Sequence, residues 1–140
     1  MTSADPLIPG QWSWRLPPFA VSASAGRHLV HDVLIEQAVH ESVLHDVELV
    51  VSELVTNALR HGIPPVDLHL SVSSRYIRVV VVDRGKAGIT AVARLPSPDE
   101  ESGRGLYIVT QLASDCGFAA TPYGWESWAI IDSVIDSSAS

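Results

Sequence analysis

Residues 44–62, LHDVELVVSELVTNALRHG, leave this chain the fewest options. Leu44, Val47, Val51, Leu54 and Ala58 recur at three- and four-residue spacing, so one face of a long helix is apolar and needs covering. Ser42 is the expected N-cap, and Gly62 followed by Pro64 and Pro65 is the expected stop. Two strand patterns follow at 66–73 and 76–82, joined by a short turn at Ser74 and Arg75. A long amphipathic helix running straight into a hairpin points to helices laid on a sheet.

The rest of the chain fits that architecture. Residues 1–11 hold Pro6, Pro9 and Gly10 without periodicity and are expected to form a flexible arm. Trp12, Trp14 and Leu16 alternate with Ser13 and Arg15, a strand pattern that ends at Pro17 and Pro18. Ala25, Leu29, Val33 and Leu34 predict a helix over 22–37. Residues 84–102 carry Gly, Pro and an acidic run with no periodicity, and patternless connections of that length are often functional. Leu106, Val109 and Leu112 mark a helix expected to open at Gly105, and strands are expected at 118–121 and 125–132 with Gly124 in the turn between them. Elements arrive in blocks, which predicts an α+β fold. The expected form is a two-layer α/β sandwich whose mixed, mostly antiparallel sheet carries helices on one face. A single domain is expected over 12–135, with a frayed tail at 136–140.

Composition narrows the function. At 140 residues, 46% apolar and 18% charged, the chain can bury a core of its own. The net charge of -7 leaves no Lys- and Arg-rich face to follow a phosphate backbone, so direct nucleic-acid binding is not expected. No apolar run is long enough to span a bilayer, and the N-terminus lacks a basic start followed by an apolar stretch. The lone Cys116 rules out an intramolecular disulfide and suits a reducing compartment, so a cytoplasmic location is expected.

Three short elements carry possible chemistry. Glu53 and Asn57 stand one turn apart on the long helix, about 40° apart around its axis, at the rim of the apolar stripe. Their oxygens are hard donors suited to Mg²⁺, and a carboxylate can also serve as a base. By themselves they suit a solvated Glu and a helix-end Asn. In YIRVVVVDRG, period two places Asp83 on the same strand face as Ile77, Val79 and Val81. A carboxylate there needs a donor, such as a nucleobase amino group, and Gly85 would let a flat base approach; an Asp that simply starts a turn is the alternative. In SGRGLYIV, two glycines ahead of a helix would expose backbone N–H groups to a phosphate, with Arg104 adding charge, although such a segment can also stand without a ligand.

In this order the three elements resemble the N, G1 and G2 boxes of the GHKL ATPase fold. The resemblance is closer to the small bacterial anti-sigma factor/serine-protein kinase family. It runs through VELVVSELVTNALRHG, VVVVDRG, SGRGLYIVTQLASDCG and GWESWAII, across most of residues 20–132. It implies that Asn57 is the Mg²⁺ ligand and Glu53 the catalytic base toward an attacking hydroxyl. Asp83 would read adenine with Gly85 beside it, residues 84–102 would be a short ATP lid, and Gly103, Arg104, Gly105 and Leu106 would form the phosphate-side box. Gly88 stands one position away from the second glycine of D-x-G-x-G, and GWES replaces the more usual glycine-, lysine- and threonine-rich turn, leaving Ser127 as its candidate hydroxyl. The implied cofactors are ATP and Mg²⁺. The implied partners are a sigma factor and an anti-sigma antagonist, with homodimerisation common in the family.

The rival expectation is a non-catalytic, nucleotide-sensing module that sequesters a partner, since fold does not fix function. His28, His31, His40, His45 and His69 show no spacing that joins three of them to a carboxylate, so they are read as surface or half-buried histidines. Trp12, Trp14, Trp125 and Trp128 are read as strand residues packing the sheet.

Overall fold

A computed structural model describes residues 10–85 and 101–134, without the side chains of 101–104. Eight elements follow in order: β1 (Gln11–Leu16), α1 (Ser22–Glu36), α2 (Glu41–His61), β2 (Val66–Val72), β3 (Tyr76–Asp83), α3 (Glu101–Leu112), β4 (Asp115–Thr121) and β5 (Gly124–Asp132). The five strands form one sheet in the order β1-β2-β3-β5-β4. Every adjacent pair is antiparallel, where the sequence reading expected a mixed, mostly antiparallel sheet. The expected α+β sandwich with helices on one face is the fold observed. Of the expected arm, residues 1–9 lie outside the described residues, Gly10 accepts a hydrogen bond from the Val72 N–H at 2.8 Å, and Gln11 opens β1.

The sheet register explains where the core sits. Leu16 on β1, Val66, Leu68 and Leu70 on β2 and Ile77, Val79 and Val81 on β3 point to the helices and are buried, as are Ala129 and Ile131 on β5. Against them α2 lays Val47, Val50, Val51, Leu54 and Val55, each at most 1% exposed. Burying each such side chain stabilises the fold by about 1.5–3 kcal/mol. The helix is held by this stripe, since its β-branched valines are only moderate helix formers.

The other sheet face is polar and mixed. Arg15 pairs with Asp67 at 2.9 Å, and the Ser13 hydroxyl lies 2.7 Å from Nδ1 of His69. Trp128 lies over Gly117 on this face, where a Cβ at Gly117 would come 2.8 Å from Cζ2 of the indole. Trp12 and Trp14 face the other way and pack half-buried on the core.

Two helix starts differ from the sequence reading, and β4 begins at Asp115, three residues ahead of the expected 118. The N-cap of α2 is His40, whose Nδ1 accepts from the Ser42 N–H at 3.2 Å, so Ser42 already lies inside the first turn. The chain reaches that cap through Ala38, which has φ 56. A left-handed conformation costs an L-residue about 1–2 kcal/mol, part of which glycine would return as unfolded-state entropy. Ala38→Gly should therefore raise stability by about 0.5–1 kcal/mol, read as a higher urea midpoint at unchanged slope. The second difference is α3, which begins at Glu101 and not at Gly105. Acidic residues at its start suit the positive end of a helix, which helps it begin ahead of the two glycines. No helix among the described residues is long and apolar enough to cross a membrane.

Candidate functional site

The long helix α2 packs against α3, β3 and β5, and the candidate residues lie along that seam. Glu53 and Asn57 lie in its C-terminal half and Gly62 closes it. From Glu53 to Gly62 the helix advances about 13 Å.

At the C-terminal end of the seam, Asp83 is the last residue of β3 and is 1% exposed. Strand alternation puts it on the helix side, opposite Trp125 of β5. Its Oδ1 accepts the Gly85 N–H at 2.7 Å, a local turn that Gly85 completes with φ 64. The carboxylate also lies hard against α2. A Cβ built on Gly62 would fall 2.6 Å from Oδ1 and closer still to Cγ and Oδ2. Gly62 therefore does more than stop the helix: any side chain there would displace Asp83. Sequence reading missed this role, because a glycine after a helical run signals only a stop until the partner strand is in place. Trp125, 3% exposed and stacked on Phe118 at 5.9 Å between ring centroids, supplies apolar surface next to Asp83.

In the middle, Asn57 is 4% exposed, and its Oδ1 is buried with no hydrogen-bond partner among the described residues. A buried acceptor left unmade costs about 1–3 kcal/mol, so an orphaned side-chain oxygen on a site wall is a reason to look for a ligand. Ser127, on the helix face of β5 opposite Val81, is 1% exposed, and its Oγ is likewise buried without a partner among the described residues. Two orphaned neutral oxygens fit hard, oxygen-seeking chemistry such as Mg²⁺ and its water shell.

Toward the start of α3, Glu53 is half-buried and its carboxylate meets the backbone at Gly105. Because α3 starts at Glu101, the amides left free belong to its first turn, ahead of Gly105 and Leu106. Gly103 and Arg104 lie in or next to that turn; the Arg104 side chain lies outside the described residues. Leu106 packs half-buried against the core. Of the expected lid at 84–102, Arg84 and Gly85 follow β3, 101 and 102 belong to α3, and 86–100, with Gly88, lie outside the described residues.

Several features stay apart from this seam. His28, His45, Glu48 and Leu49 line a hollow near the start of α2, and His31 Nδ1 lies 3.3 Å from Glu48. Among the described residues, no group of three or more His, Cys, Asp or Glu could hold a metal ion. Cys116 is half-buried, and burial first, then Asp115, pushes its thiol pKa up, which suits packing better than nucleophilic chemistry.

The profile of the family described as histidine kinase-like ATPase domain matches residues 18–128. No curated protein sequence matches the chain. A crystal structure of the RsbU and RsbW domains of Rv1364c from Mycobacterium tuberculosis is similar, with TM-score 0.66, 19% identity and coverage of 86% of this chain and 32% of that one. The histidine kinase domain of the blue-light-activated kinase EL346 from Erythrobacter litoralis is also similar, with TM-score 0.51, 20% identity and coverage of 95% of this chain and 65% of that one. The chain thus spans about a third of the first protein and just under two thirds of the second, and at these identities the likeness is one of fold. With the family profile running from α1 to β5 across all three candidate elements, this chain belongs to the histidine kinase-like ATPase domain family.

Proposed function

We propose that this protein binds ATP with Mg²⁺ along the α2–α3 seam and phosphorylates a serine or threonine on a protein partner, acting as an anti-sigma factor whose substrate is its antagonist. The observation that carries the reading is the orphaned, buried Oδ1 of Asn57, set between a carboxylate at each end of the seam. Asn57 is the residue to hold Mg²⁺, and Ser127 is placed on the sheet wall to meet a phosphate oxygen or a metal-bound water. Asp83 accepts from the adenine amino group, with Gly85 leaving the backbone open beside it. The first turn of α3, through Gly103 and Arg104, directs free amides at phosphate, while Gly105 and Leu106 contribute packing. Bound Mg²⁺–ATP supplies the phosphoryl group and offsets its charge. Glu53 takes the proton of the attacking hydroxyl as the new oxygen–phosphorus bond forms and ADP leaves.

The partners proposed are a sigma factor held inactive and an antagonist protein carrying the accepting hydroxyl. The family membership and the seam support nucleotide binding, and Glu53 supports transfer. Glu53→Gln tests the second step. The variant should bind ATP within about twofold of wild type in calorimetry while hydrolysis or transfer from labelled ATP slows by about 10²–10⁴-fold. Unchanged turnover would remove the base and leave a nucleotide-sensing module that sequesters its partner without chemistry.

A further inference from the structure

Gly105 is the fifth residue of α3 and is buried. The nearest heavy atoms to a Cβ built there are all from Glu53: 3.7 Å to Cγ, 2.9 Å to Cδ and closer still to Oε2. A helix surface bare of side chain is thus pressed against the carboxylate proposed as the base. Glutamate has three rotatable torsions, and at a half-buried position it would sample several rotamers unless something restricted them. The α3 backbone closes off that freedom on one side. The same arrangement recurs at the other end of the seam, where Gly62 abuts the Asp83 carboxylate. Each carboxylate of the site therefore rests on a glycine, one inside α3 and one capping the end of α2.

We infer that Gly105 is a positioning residue for Glu53. Its missing side chain makes the slot that fixes the carboxylate, so the placement of α3 sets the placement of the base. This rests on the reading of Glu53 given above, and it differs from a phosphate-binding role for Gly105. In a helix that starts at Glu101, the Gly105 amide falls beyond the free first turn.

Gly105→Ala tests the inference, and alanine is the better helix former, so the fold should not weaken through the backbone. The direct readout is the ¹³C signal of the Glu53 side-chain carboxyl, identified by its disappearance in Glu53→Gln. It should move in Gly105→Ala and stay in place in Gly62→Ala. Intrinsic Mg²⁺–ATP hydrolysis should fall by about 10–100-fold at near-constant ATP affinity, as expected for misplacement of a reacting group by about 1 Å. Glu53→Asp, with a shorter side chain, should recover part of that loss in the Gly105→Ala background while costing activity in the native one. An unmoved carboxyl signal overturns the inference, as does a loss of ATP affinity that accounts for the whole loss of turnover. If Glu53→Gln hydrolyses ATP as fast as wild type, the base reading fails, and the carboxyl signal still decides the slot.

Discussion

Asn57→Ala should weaken Mg²⁺-dependent ATP binding by about a hundredfold, close to 2.7 kcal/mol, while leaving the fold nearly as stable as before. The two halves of this expectation come from the same atom. Asn57 is 4% exposed, and its Oδ1 has no hydrogen-bond partner among the described residues. Ordinary buried asparagines make such a truncation costly, because a partner is left behind. Here the oxygen carries an unmet desolvation cost, and alanine removes it. Alanine also gains about 0.5–0.7 kcal/mol of helix propensity inside α2. Against this stands the packing lost with the amide, so the net change in stability should stay within about 1 kcal/mol.

Calorimetric titration of ATP, with Mg²⁺ and again with EDTA, separates the outcomes. The wild type should bind more tightly with the metal, and the variant should lose that difference. Equal Mg²⁺ dependence in both proteins would remove Asn57 from the metal site. A stability loss beyond about 3 kcal/mol in urea denaturation would show that the amide is a structural partner after all. With the expected pair of results, the unmet oxygen is stability given up for a ligand, as at other sites that must stay open until they are filled.

The buried face of α2 was legible because Val47, Val51, Leu54 and Ala58 repeat at helical spacing and all prove buried. Asp83 was legible for the same reason in period two, since it continues the face of Ile77, Val79 and Val81 and is as buried as they are. The hairpin turn was readable from local chemistry, and Ser73 Oγ does accept the Arg75 and Tyr76 amides at 3.3 and 3.1 Å.

What sequence could not reach was of two kinds. Element starts depend on small local balances, so His40 displaced Ser42 as the cap and α3 began ahead of its glycines. Contacts between distant segments were wholly hidden. Gly62 against Asp83, and Gly105 against Glu53, become visible only when α2, β3 and α3 are packed together. Both glycines had plausible local readings, as a helix stop and as a phosphate loop, and those readings masked the close approach. The pairing of β3 with β5 was hidden in the same way, because α3 and β4 separate them in the chain.

Inosine triphosphate, with a carbonyl in place of the adenine amino group, should bind at least about a hundredfold more weakly than ATP. The surroundings of Asp83 impose that preference. Its carboxylate is buried at 1% exposure, fixed on one side by the Gly85 N–H at 2.7 Å and confined by Gly62 on the other. A group so confined cannot turn away from an unsuitable base. An amino group offers it a donor, whereas a carbonyl sets acceptor against acceptor in a site with little water to intervene. Sites built to hydrogen-bond a substrate donor reject analogues lacking it far more strongly than apolar pockets reject an extra methylene. Asp83→Asn should then narrow the preference from both ends. Its amide can donate to the inosine carbonyl, while the lost charge weakens its hold on the adenine amino group. Competition of each triphosphate against a fluorescent ATP analogue, in wild type and variant, reads all four affinities. Equal binding of the two nucleotides by the wild type would take Asp83 away from the base and require the nucleotide to lie along α2 in another orientation.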